Sequence, residues 1–147
     1  MVDPHREIEL REAIEGLFFG YRAFTALPDR MLAERGLGRT HHRILYFVRR
    51  EPGIAMGDLL AILQVSKQAA HRPLKELVEQ ELVVVTPDPD DRRARRLTAT
   101  HAGEALEGSL SEAQMELLDA TFGRVGPAAE KAFCAVMREL GRHTGEV

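Results

Sequence analysis

The stretch from Gln64 to Thr100, QVSKQAAHRPLKELVEQELVVVTPDPDDRRARRLTAT, restricts the fold more than any other part of the chain. Ser66 suits a helix N-cap. Ala70, Leu74, Leu77 and Val78 then recur at i, i+4, i+7 and i+8, which is one apolar helix face. Lys67, Gln68, His71, Arg72 and Lys75 fall on the other side. Leu82 to Thr86 is a β-branched run that suits a strand. Pro87, Asp88, Pro89, Asp90 and Asp91 are turn residues. Arg92, Arg93, Arg95 and Arg96 crowd the tip with guanidinium groups, and Leu97 to Thr100 returns as a second strand. A polar, basic helix followed by a β-hairpin with a basic tip is a winged helix-turn-helix. Its helix can enter a major groove, and its tip can reach a phosphate backbone or a minor groove. Gln suits adenine, and Lys or Arg suits guanine or phosphate. An ordinary exposed helix face and a solvated loop balanced by Asp88, Asp90 and Asp91 are the plainer readings of the same residues. Pro73 lies inside this helix, where a backbone N–H should bond to Ala69. Its presence predicts either a kink or a helix that is regular only from Pro73 onward.

The flanking segments read as helices. Pro4 to Leu27 carries a broad stripe of Leu10, Ala13, Ile14, Leu17, Tyr21, Phe24 and Leu27, and Pro28 is expected to end it. Gly16 and Gly20 each cost about 1 kcal/mol relative to alanine there. Either another helix packs close to them or they leave room for a ligand. Arg39 to His42 opens a second helix with Thr40 as its cap, burying Ile44, Leu45, Phe47 and Val48. Glu51-Pro52-Gly53 ends it, and Ile54 adds a short strand against the wing. Met56 to Leu63 precedes the turn Gln64-Val65-Ser66, with Leu59, Leu60 and Leu63 toward the core.

His101 to Phe122 is a long helix striped by Leu106, Leu110, Ala113, Leu117 and Thr121, followed by a break at Gly123 to Gly126. Pro127 opens a last helix striped by Ala129, Phe133, Val136, Met137 and Leu140. These stripes are wide for helices that only cap a small winged helix. They predict a two-fold homodimer whose recognition helices face successive major grooves, ~34 Å apart on a pseudo-palindromic duplex.

Asp91-x-Arg93 followed by Leu97-x-Ala99-Thr100, after a helix ending ELVEQELV, resembles the wing of the MarR family of bacterial transcriptional regulators. Ala99 is smaller than the usual residue. The likeness extends over most of the chain. It implies one domain over 1–147, mainly α with a small β-hairpin wing. The DNA-binding lobe would occupy about 40–100, and dimerisation helices about 4–30 and 101–145. It also implies that Asp91 holds Arg93 in position and that Arg93 enters a minor groove, where negative potential is concentrated. Members answer small aromatic acids or phenols in a cleft between the dimer helices and the DNA-binding lobe, and the expected outcome is a repressor released by such a ligand. In this chain Phe18, Phe19, Tyr21 and Phe24, with Tyr46 and Phe47, would wall the cleft. Arg22, Arg43 and His41 could hold a carboxylate or phenolate. An aromatic dimer core with exposed basic residues is the alternative.

The remaining features bound the function. A length of 147 residues suits one domain. No run of ~18 apolar residues is present, and the N-terminus lacks a signal peptide's apolar segment. With one cysteine, these features predict a cytoplasmic protein without membrane contact. The net charge of −3 argues against indiscriminate nucleic-acid binding, so the arginines at the wing matter more than the sum. Cys134, among apolar neighbours, is expected to be a buried inert thiol. Peroxide-sensing members of the family carry their reactive cysteine near the N-terminus, where this chain has none. Adjacent His41 and His42 point about 100° apart on a helix, so neither metal nor cofactor is expected. A cap, a surface position or a ligand contact remain open for them. No glycine-rich phosphate loop, GxSxG or HExxH motif points to an enzyme. The competing class is a winged-helix protein-interaction module without DNA binding, which would not need four arginines at a hairpin tip.

Overall fold

The first helix runs on through Pro28. In the computed structural model, which describes residues 1–144, helix α1 spans Pro4–Ala33. A proline inside a helix costs about 3 kcal/mol. Burial of Leu32, worth about 1.5–3 kcal/mol, and of Pro28 itself offsets that cost. The stop lies further on. Gly36, at φ 70°, donates its N–H to Ala33 O at 3.0 Å, and Leu37 donates to Leu32 O at 3.0 Å. This is a Schellman cap sealed by buried Leu32 and Leu37. At the other end the Asp3 carboxylate accepts the His5 N–H at 2.8 Å, and Pro4 opens the helix.

Helix α2 (Arg39–Arg50) starts two residues earlier than a Thr40 cap requires. Gly38 is the N-cap, and His41 reaches back from the third helical position. Its Nδ1 accepts the Gly38 N–H at 2.9 Å, which is half of a capping box. Ile44, Leu45 and Val48 are buried as expected. Strand β1 (Ile54–Ala55) leads into α3 (Met56–Leu63), and Gln64 turns the chain at φ 52° into α4 (Lys67–Glu79). Helix α4 is continuous from Lys67, so it is not regular only from Pro73 onward. Ala70 and Leu77 are buried, whereas Val78, at the margin of the apolar face, is exposed.

Strands β2 (Val83–Pro87) and β3 (Arg95–Ala99) form the wing, and the sheet order is β1-β3-β2, antiparallel throughout. Leu97 lies opposite both Ile54 and Val85 and is fully buried. Pro87 pairs with Arg95 and is therefore strand, not turn. The tip is residues 88–94. Thr100 binds the wing to helix α5 (His101–Val125): its N–H reaches Leu82 O at 3.0 Å, and its hydroxyl accepts the Gly103 N–H at 3.0 Å. Gly103 packs so tightly on Leu82 that a β-carbon there would collide with the Leu82 carbonyl.

Helix α5 passes through Gly123. The chain breaks at Gly126, whose φ of 94° suits glycine, and Pro127 opens α6 (Pro127–Gly141). The core joins Leu32, Leu45, Val48, Leu59, Leu77, Leu82, Leu97 and Leu110, all within the winged-helix lobe and the helix segments against it. Residues 4–23 of α1 are exposed throughout, Met115 and Leu117 of α5 are exposed, and α6 buries none of its residues. Cys134 is accordingly exposed rather than buried, because nothing within one chain covers α6. Open space surrounds Gly16 and Gly20. Residue 145, the end of the expected dimerisation segment, lies outside the described residues. Among those described, no helix is long and apolar enough to cross a membrane.

Candidate nucleic-acid interface

Ser66 starts the recognition helix by accepting the Ala69 N–H at 3.0 Å. Lys67, Gln68, His71, Arg72 and Lys75 are all exposed, opposite the buried Ala70 and Leu77. Two of the cations lean on their own helix: Arg72 Nε lies 3.3 Å from Glu76 Oε1, and Lys75 Nζ lies 3.8 Å from Glu79 Oε1. Exposed pairs of this kind are weak, so a phosphate can displace them.

The wing is organised by a residue that sequence reasoning did not single out. Asp88 Oδ1 accepts the N–H groups of Asp90 at 2.8 Å and Asp91 at 3.2 Å. Its Oδ2 accepts the Arg96 Nε–H at 2.7 Å. The Asp90 amide foremost, with help from Arg96, holds the Asp88 carboxyl below its ordinary range. The signal was available, since an Asp two residues before a turn position is the start of an Asx-turn. Asp91 meets Arg93 through the main chain: its Oδ1 accepts the Arg93 N–H at 3.0 Å.

The four arginines separate into two pairs. Arg95 and Arg96 belong to β3. Arg96 is spent on Asp88 and, through Nη1, on Gly53 O at 2.9 Å, and Arg95 Nη1 donates to Arg92 O at 3.0 Å. Arg92 and Arg93 stand at the tip, and their guanidinium groups make no hydrogen bond or ion pair among the described residues.

The aromatic candidates are brought together only in part. Arg43 Nη2 donates to Tyr21 Oη at 2.9 Å, and the Arg39 guanidinium sits 5.3 Å from the Tyr21 ring centroid. Arg39 is held by Asp29 at 2.9 Å and by Thr25 Oγ1 at 3.2 Å, and the Asp29 bond raises its pKa. Arg22 covers Phe19 at 4.9 Å and Phe18 at 5.6 Å. Tyr46 instead meets Phe47 edge to face and lies under the Arg50 guanidinium. His41 is taken by the Gly38 cap and faces α4. Two clefts of about 470 and 400 Å³ lie elsewhere, one beside Met115 and Phe122, the other beside Met31 and Leu106. Among the described residues, no three His, Cys, Asp or Glu side chains are placed to hold a metal ion.

A three-stranded wing packed on a helix-turn-helix, with a bare cationic helix face beside it, defines a winged-helix DNA-binding protein. The chain belongs to the MarR family of transcriptional regulators, a family of DNA-binding proteins rather than enzymes. The family model matches residues 35–94. The HTH-type transcriptional regulator PetP of Rhodobacter capsulatus is 41% identical over 132 residues, which are 90% of this chain and 80% of that protein. The crystal structure of a MarR family transcription regulator, 26% identical, matches with a TM-score of 0.78 over 97% of this chain and 94% of that one. The structure of NadR in complex with 4-hydroxyphenylacetate, 22% identical, matches with a TM-score of 0.71 over 85% and 89%.

Proposed function

We propose that the chain acts as a homodimer gripping a pseudo-palindromic operator, and that a small aromatic acid or phenol releases it, making it a repressor. Lys67, Gln68, His71, Arg72 and Lys75 would face the major groove behind the Ser66 cap, and Arg92 and Arg93 the minor groove or its phosphates. Arg95 and Arg96 would support the wing from its strand. The observation that carries the reading is the pair of uncommitted guanidinium groups on a tip that Asp88 and Asp91 hold in shape. The dimer is supported by the exposed apolar faces of α1, α5 and α6. The setting is the cytoplasm, where bacterial operator DNA lies.

The effector would sit against α1 and α2. The Tyr21–Arg43 hydrogen bond supports this placement, since it offers a phenol beside a guanidinium. The ligand of NadR, a phenol with a carboxylate, has the matching chemistry. A ligand that fits one spacing of the two recognition helices favours that spacing by its differential affinity and no more.

The test is anisotropy of a duplex that the protein selects from a randomised library, measured across salt. Arg93→Ala should weaken binding to most sequences and lower the salt slope by about one unit. Unchanged binding by the folded variant defeats the wing assignment, and no duplex binding at all favours the protein-interaction module. For the effector, 4-hydroxyphenylacetate and related acids are screened by melting temperature. At 100 times its dissociation constant a ligand adds about 2.7 kcal/mol, or roughly 5–10 °C. The effector reading fails if no compound both raises the melting temperature and lowers DNA affinity.

A further inference from the structure

His41 joins the first turn of α2 to the recognition helix through one hydrogen bond that is not made. Its Nδ1 accepts the Gly38 N–H at 2.9 Å, so the proton of the neutral ring is on Nε2. Nε2 is buried and finds no acceptor among the described residues. Native structures rarely leave a buried donor in that condition. The carboxylate oxygen Glu76 Oε1 lies 3.8 Å from it, beyond hydrogen-bond reach. That same oxygen lies 3.3 Å from Arg72 Nε, on a side chain that is 89% exposed. Glu76 thus stands between a buried donor on its inner side and a solvent-facing guanidinium on its outer side.

We propose that His41 is a positioning residue for DNA binding. When the face of α4 meets DNA, a phosphate takes Arg72, and Glu76 turns inward to accept the His41 Nε2–H. The phosphate supplies the opposite charge that Arg72 loses, and the buried donor gains the acceptor it lacked. No proton is transferred. The arrangement rests on the reading that α4 carries the DNA contacts. It adds a reason for a histidine at position 41 beyond capping, since the cap needs only the Nδ1 acceptor.

The experiment uses the full chain and the library-selected duplex. His41→Gln keeps an acceptor for the Gly38 N–H, as capping-box glutamines do, but removes the ring donor. It should weaken binding about tenfold, because the Glu76 carboxylate, once a phosphate takes Arg72 from it, finds no inward donor. Glu76→Gln should bind at least as tightly as the parent. Adding His41→Gln to that background should change nothing further, an outcome that a purely structural histidine would not give. In the parent protein, the ¹⁵N-labelled His41 Nε2 proton should move downfield when the duplex is added, a reading that needs no variant to fold. The proposal is overturned if His41→Gln binds with parental affinity, or if its loss persists undiminished in the Glu76→Gln background. Parental binding by Arg72→Ala would instead sink the reading of Arg72 as a DNA contact, and the proposal with it.

Discussion

Asp88 Oδ2 and Arg96 Nε meet at 2.7 Å across the base of the wing, while the other Asp88 oxygen holds the Asp90 amide at 2.8 Å. The carboxylate therefore shapes a loop whose tip arginines it never touches. Asp88→Ala should lower the melting temperature by about 2–6 °C, because a largely buried carboxylate that accepts three hydrogen bonds is lost. DNA affinity should fall by about tenfold, because Arg92 and Arg93 lose their fixed presentation. Parental affinity in that variant would show that the tip needs no bracing.

The same carboxyl titrates below its ordinary range, held there first by the Asp90 amide. Its support is complete above the unfolded value of about 3.9 and is lost as pH falls through the lower folded value. Followed by ¹³C NMR, the Asp88 side-chain carboxyl should titrate with a midpoint below the ordinary value of about 3.9. A midpoint above the ordinary value contradicts the clamp.

His42 is half-buried beside Glu107, and burial lowers its pKa more than the nearby carboxylate raises it. A histidine with a depressed folded pKa favours the native state above its unfolded value of about 6.5, and that support fades as acid charges the unfolded chain first. The melting temperature should therefore drop between about pH 7.5 and 5.5. His42→Asn should flatten that part of the curve. An identical curve in the variant assigns the effect to other groups.

Gly103→Ala should destabilise severely, because the added carbon meets the Leu82 carbonyl and neither main chain can yield. Overpacking of this kind costs about 3 kcal/mol or more, or roughly 6–12 °C in melting temperature. Gly123→Ala meets open space within a helix and should instead gain about 1 kcal/mol. Thermal denaturation of the two variants should move in opposite directions.

Truncation after Gly126 removes α6 and leaves the exposed stripes of α1 and α5 without it. Aggregation or loss of folding is expected, since obligate dimers often lack a stable protomer. A soluble, folded monomer in light scattering would contradict the proposed assembly.

The recognition helix and wing were legible in the sequence because their determinants are local. Ser66 caps where it was expected, and the apolar period and the Asp91–Arg93 turn survive in the structure. Pro28 does not end the helix, because its penalty is local while the burial of Leu32 that outweighs it is tertiary. Thr40 gives way to Gly38 as the N-cap, with His41 reaching back to it, because the helix starts two residues earlier than the Thr40 pattern suggests. Arg96 looks like Arg93 in composition, and what sets it apart is its partners, Asp88 eight residues earlier and the distant Gly53 carbonyl. Cys134 sits in an amphipathic pattern that reads as burial, yet one chain offers nothing to cover it.

Helix α5 is a single rod of 25 residues, fixed at one end where Gly103 presses on Leu82 beneath the wing. At 1.5 Å per residue it is about 37 Å long. A tilt of about 5° over such a length displaces its far end by about 3 Å, close to the 3.4 Å spacing of bases along one strand. If the far ends are where two copies meet, the tolerance of a protein like this for half-sites one base pair closer or further apart becomes a mechanical property, the bending stiffness and seating angle of one helix. It would then be tunable at positions that never approach a nucleotide.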